Sequence, residues 1–227
     1  VFAFHNIPGA PFNQIILKYN SFTAAVKSII IKIHGKNAHA AEPEKGINPA
    51  LAIAEIIQKF EALSNNKPKS ENFSLITPIH INMGEIAYGT SAGYGELRFT
   101  LRTWTQEKIE VLSLSILKIL QEISTKHKLK IESNWTEEFA ATKNNNEAIN
   151  TILLAAKHHS LDIAIKKEPF KFGEDFGLFT QQFKGAMFGI GAGTACKPLH
   201  NPEYDFPDKI LPTTIKLFHQ ITLQLLN

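Results

Sequence analysis

Cysteine occurs once in 227 residues, at Cys196, so no disulfide can close within the chain and a reducing compartment, by default the cytoplasm, suits it. No apolar run approaches the ~20 residues of a membrane-spanning helix, so a membrane-spanning class is not expected. Charge of one sign is scarce as well: 24 Lys and Arg against 21 Asp and Glu leave a formal +3. The densest basic stretch, Lys126, Lys128 and Lys130, alternates with other residues as a solvated strand entrance does, which argues against a nucleic-acid partner. An initiator Met, a charged lead-in and a short apolar region with a small-residue cleavage site are also missing. The opening "VFAFHNIPGAPFNQI" is therefore expected to be neither a signal peptide nor a natural start.

What is present describes a soluble globular protein: 44% hydrophobic and 20% charged residues, in a chain long enough to bury roughly 70% of its unfolded surface. "KSIIIKIHGK" places Ile29, Ile31 and Ile33 on one face of a strand. "NPALAIAEIIQKFEAL" has Ile53, Ile56, Ile57, Phe60 and Leu63 at helical spacing, with Asn48 as N-cap and Pro49 at the first helical position. After the polar loop "SNNKPKSEN", "SLITPIHINMGEI" alternates through Leu75, Ile79, Ile81 and Met83. "ELRFTLRTW" then sets Leu97, Phe99 and Leu101 against Arg98, Thr100 and Arg102. A helix through Ile109, Leu112, Ile116, Leu120 and Ile123 and a strand at Leu129 and Ile131 complete the order βαββαβ, the ferredoxin-like pattern.

Beyond "ATKNNNEA" the pattern becomes helix, strand, short helix, strand, helix, an alternation that usually packs on a parallel sheet. Those ~80 residues supply only two strands, below the usual sheet size. The expected division is 1–25 and 143–227 as parts of one α/β domain, with 26–142 inserted as a second domain.

Four stretches stand out in order: "FHNIPGAP" with His5, "GKNAHAAEPEKG" with His39, "GEDFGLF" with Glu174 and Asp175, and "PLHNPEYDFPD" with His200. Each has an ordinary reading: a solvent-facing strand-end His, a loop His beside Pro43, and two carboxylates complementing a helix N-terminus. Taken together, the series resembles the zinc-type amidohydrolases and aminoacylases, which include hippurate hydrolase, N-acyl amino acid amidohydrolases, auxin-conjugate hydrolases and related carboxypeptidases. Nearly all 227 residues can be laid along the second part of that family.

The resemblance implies a two-metal catalytic domain interrupted by a ferredoxin-like lid that dimerises, cleaving the amide of N-acyl amino acids or short peptides with metal-activated water. It implies His5 and His200 as metal ligands, imidazole being suited to Zn²⁺, with Mn²⁺, Co²⁺ or Ni²⁺ as alternatives. It implies that His39 donates to the oxyanion in a partner subunit's site and that Arg102 grips a substrate carboxylate. Glu174 and Asp175 are expected to cap their helix. The family's other ligands and its base, on a His-x-Asp type strand end and a Glu-Glu pair, precede the "HNxPG" strand. They are expected in a portion ahead of Val1 of on the order of 150 residues, so the 227 residues alone are expected to be inactive.

One run departs from the family: where many relatives read "NxIPD", "GTSAG" puts Gly89 in place of Asn and Gly93 in place of Asp. A substrate contact from that asparagine is not expected here. The competing reading is a dimerisation or binding module without catalysis. An RNA-binding ferredoxin-like domain would want aromatics on its middle strands, which "SLITPIH" does not offer.

Overall fold

A computed structural model describes residues 1–226. Along the chain, β1 (Phe2–Ile7), β2 (Ile15–Leu17) and β3 (Asn20–Ser21) lead into β4 (Ala25–His34), β5 (Ala38–His39), helix α1 (Ala50–Ala62), β6 (Ser74–Met83), β7 (Thr90–Ser91) and β8 (Tyr94–Thr103). Helix α2 (Gln106–His127), β9 (Lys130–Phe139), β10 (Lys143–Asn144), α3 (Asn146–His158), β11 (Ile163–Ile165), α4 (Phe176–Gln182), β12 (Ala186–Gly191) and α5 (Leu211–Leu226) follow. Two compact units result: Ala25–Phe139, and Val1–Ala24 together with the chain from Ala140 onward.

The unit Ala25–Phe139 is an antiparallel sheet ordered β6-β8-β4-β9, with α1 and α2 joining strands in the βαββαβ sequence. Alternation dictates its core: Ile29, Ile31 and Ile33 of β4 and Leu97, Phe99 and Leu101 of β8 are buried. The helices lay Ile56, Phe60, Ile116 and Ile123 among the buried residues, and Phe60 meets Phe99 edge-to-face at 4.9 Å. The N-cap of α1 is Pro49 rather than Asn48, since the helix starts one residue later than the pattern indicates; the Asn48 side chain accepts from the Ala50 amide at 2.8 Å just ahead of it.

Edge strand β6 does not keep its simple alternation. Its pairing with β8 shifts register between Pro78 and His80, because proline cannot donate to the ladder, and beyond that point Ile79, Ile81 and Met83 stand exposed.

In the other unit, α3 and α5 pack with a sheet ordered β1-β12-β2-β11 around Ile15, Leu17, Ile149, Ile152, Phe188, Ile190, Leu217 and Ile221. The sheet is mixed rather than parallel: β1 and β12 are parallel, as are β2 and β11, but β12 and β2 are antiparallel. The connection from Pro8 to Gln14 causes this. It is too short for a crossover helix, so the chain must reverse direction between β1 and β2. Asn144 is buried with both ends of its amide used. Its Nδ2 donates to the Lys18 and Met187 carbonyls, and its Oδ1 accepts from the Met187 amide. Among the described residues no helix is long and apolar enough to cross a membrane.

Candidate metal and substrate site

His5 lies on β1 opposite Gly189 of β12, a position fixed by the parallel ladder on a strand with only one free edge. Its Nδ1 donates to the Asn6 carbonyl at 2.7 Å, which leaves Nε2 as the lone-pair side of the neutral ring. That atom faces Glu174 Oε1 at 3.2 Å, and the ring lies against Phe172 with centroids 4.7 Å apart. Burial opposes a charge on the imidazole, yet the hydrogen bond that the protonated ring donates to Glu174, the Asn6 carbonyl and the carboxylate's charge together raise its pKa above the usual value.

Glu174 is thus not a helix cap. The N-cap of α4 is Asp175, which makes no side-chain cap bond, while the Glu174 carboxylate turns to His5. The helix offers too few turns to reward a cap, and a half-buried imidazole is the stronger partner for a carboxylate.

His200 is exposed and sits in a tight turn closed by the Asn201 amide on the Pro198 carbonyl at 3.1 Å. Its φ of 66° is the left-handed conformation a type II turn demands at its third residue, where glycine is usual. A non-glycine residue there costs about 1–2 kcal/mol, a strain that concentrates at functional sites. Four residues on, the Tyr204 hydroxyl accepts from Asn6 Nδ2 at 2.6 Å. The segment carrying His200 is therefore tied to the residue next to His5. Asn6 and Tyr204 lie inside the two quoted motifs. No periodicity signals a pair so remote in sequence.

In the unit Ala25–Phe139, His39 lies on β5, opposite Thr90 of β7, with its side chain exposed. Its Nδ1 accepts from the Ala41 amide at 3.0 Å, so in the neutral ring the proton sits on Nε2, directed away from its own loop as a donor. Arg102 is half-buried on β8 between Val26 and Leu75, and burial pushes its pKa below the usual value. Asn37, Thr90, Gly93 and Tyr94 help line a cavity of about 300 Å³ beside this ribbon. Gly93 has no room for a side chain: a Cβ would stand 2.4 Å from the Asn37 nitrogen. Gly89 has open space around it. An aspartate at position 93 could not fit this loop, whereas an asparagine at 89 could.

His5 and Glu174 suit a metal. Two donors held about 2.1 Å from one tetrahedral ion stand ~3.4 Å apart, close to the 3.2 Å between Nε2 and Oε1. Among the described residues, however, no group of three or more His, Cys, Asp or Glu is placed to hold an ion. The pair is a partial donor set.

Residues 24–128 match the peptidase dimerisation domain of the M20 family. Those residues carry the M20 dimerisation domain, and the chain as a whole is similar to M20 peptidases and amidohydrolases. Among its M20 relatives, hippurate hydrolase of Campylobacter jejuni is 24% identical over all of this chain and 59% of its own length. N-acetylcysteine deacetylase of Bacillus subtilis is 23% identical over the same shares. A Bacillus subtilis structure described as a dinuclear metal-binding M20 peptidase superposes with a TM-score of 0.78 at 20% identity, over 99% of this chain and 56% of that one. The chain spans less than two thirds of the length of these M20 proteins.

Proposed function

We propose that the chain forms part of a metal-dependent amidohydrolase that cleaves N-acyl amino acids or short peptides into a carboxylic acid and an amino acid. The observation that carries this reading is the His5–Glu174 pair, whose Nε2 and Oε1 stand 3.2 Å apart, about the separation of two donors on one metal ion. His5, Glu174 and His200 would serve as ligands, and the ion, one of two in the intact site, would supply a water acidic enough to attack at neutral pH. The remaining ligands and the base would come from the part of such enzymes that these 227 residues do not match.

The chain's own residues bind and orient. His39, its Nε2 proton fixed by the Ala41 amide, donates to the scissile carbonyl oxygen as charge gathers there; such a donor is typically worth about 3–4 kcal/mol. Arg102 holds the substrate carboxylate through its guanidinium fork. His39 acts in a partner's site within a homodimer formed through the lid. The exposed apolar edge of β6, with Ile79 61% and Ile81 46% exposed, offers unpaired backbone for the joining surface.

The test is hydrolysis of N-acetyl and N-benzoyl amino acids by the full-length protein with added Zn²⁺, Mn²⁺, Co²⁺ or Ni²⁺. Metal-dependent turnover that falls at least a hundredfold in His39→Ala supports the reading. Inactivity with every metal, alongside a stable dimer, favours the second reading, a dimerisation or binding module.

A further inference from the structure

We infer that the 620 Å³ pocket walled by Phe12, Ala192, Ala195, Cys196, Phe206 and Pro207 is the subsite for an apolar acyl group of the substrate. The inference rests on the proposed amidohydrolase reading and names which end of the substrate lies where.

The pocket is built from the two segments already tied to the candidate site. Pro11 and Phe12 follow His5 on the β1–β2 connection, and Thr194–Cys196 and Asp205–Pro207 bracket His200. The loops that carry it are joined by backbone bonds. The Gly9 amide donates to Gly193, Gly193 to Ala10, Asn13 to Gly191 and Gly191 to Gln14, all between 2.8 and 3.1 Å. Gly191 permits this approach, since a Cβ there would meet the Pro11 carbonyl oxygen at 1.7 Å. A cavity so braced is preformed, and its size and apolar lining are those of a small-molecule pocket.

Its charge selects the occupant. The one ionisable carboxylate in the wall, Asp205, repels a substrate carboxylate, so the amino-acid end is directed elsewhere and the uncharged acyl end is admitted. Phe12 and Phe206, 47% and 37% exposed, provide aromatic faces for it, and a phenyl-sized group fits where an acetyl group leaves space.

Cys196 reports occupancy because it lines the pocket and is partly accessible. In the full-length protein, alkylation of Cys196 by N-ethylmaleimide, followed by peptide mass mapping, is timed with benzamide or acetamide present. Benzamide slows it and acetamide does not, and Phe12→Ala loses the benzamide effect while keeping the thermal midpoint. In turnover, Phe12→Ala lowers kcat/KM for N-benzoyl substrates about tenfold more than for N-acetyl substrates. Equal slowing by both amides, no slowing, or a Cys196 that never reacts overturns the inference. Benzamide protection without any hydrolysis sinks the amidohydrolase reading alone. Hydrolysis without benzamide protection sinks the subsite alone.

Discussion

Asn6 donates its side-chain amide to the Tyr204 hydroxyl over 2.6 Å, joining two positions 198 residues apart. The bond draws the turn that carries His200 to the strand end that carries His5, so its loss acts on the site through position rather than chemistry. Tyr204→Phe is expected to cost about 1 kcal/mol, read as a lower urea midpoint with unchanged slope. Amide exchange should rise selectively over 198–207. A uniform rise across the unit would show that the tyrosine is a global rather than a local tie.

The Glu174 carboxylate serves His5 rather than α4. Glu174→Ala in the full-length protein should weaken Zn²⁺ binding roughly 10- to 100-fold, measured by chelator competition. It should leave the helical circular dichroism signal in place, since α4 takes no cap from this side chain. Unchanged zinc affinity would return Glu174 to a structural role.

The two glycines of the lid ribbon should part company. Gly93→Ala forces a Cβ against the Asn37 backbone and is expected to destabilise by about 1–3 kcal/mol. Gly89→Asn enters open space and should leave the thermal midpoint unchanged. If the asparagine contact of relatives matters, Gly89→Asn also lowers KM for N-acyl amino acids.

Glu55 accepts from His127 at 2.9 Å and Lys126 at 2.8 Å across α1 and α2, with Lys59 at 3.5 Å, and these partners hold its pKa down to about 2 from 4.5. A carboxylate depressed on folding contributes stability that is present above its unfolded value and lost as pH falls through its folded one. The thermal midpoint should therefore decline between pH 4.5 and about 2, and Glu55→Gln should flatten that part of the curve. A wild-type slope retained in Glu55→Gln would place the acid sensitivity elsewhere.

The β6 edge supplies a further test. Ile79→Lys with Ile81→Lys puts charge on an exposed apolar edge, and should convert a dimer to a monomer by light scattering without lowering the thermal midpoint of the monomeric unit. A dimer that persists at low micromolar concentration would move the joining surface off this strand.

Much of the lid was legible because its strands and helices obey single periods. Ile29, Ile31 and Ile33 alternate without interruption, and Ile109, Leu112, Ile116, Leu120 and Ile123 recur at helical spacing, so the buried faces follow from the residues alone. β6 broke the rule where Pro78 removed a donor and the ladder slipped. The direction of β2 was hidden because three residues carry no period, and only the shortness of the Pro8–Gln14 connection decides it. His5, His39 and His200 were legible as motifs. The Glu174 pairing and the Asn6–Tyr204 bond were not, since each depends on where two distant segments land, which neither period nor spacing encodes.

The most direct measurement of the account is calorimetric titration of Zn²⁺ into the full-length protein and its His5→Ala and His200→Ala variants, with hydrolysis of N-acyl amino acids followed in parallel. Two bound ions in the wild type, fewer in each variant and a matching loss of turnover are the predicted result. Identical zinc binding in all three proteins would contradict it.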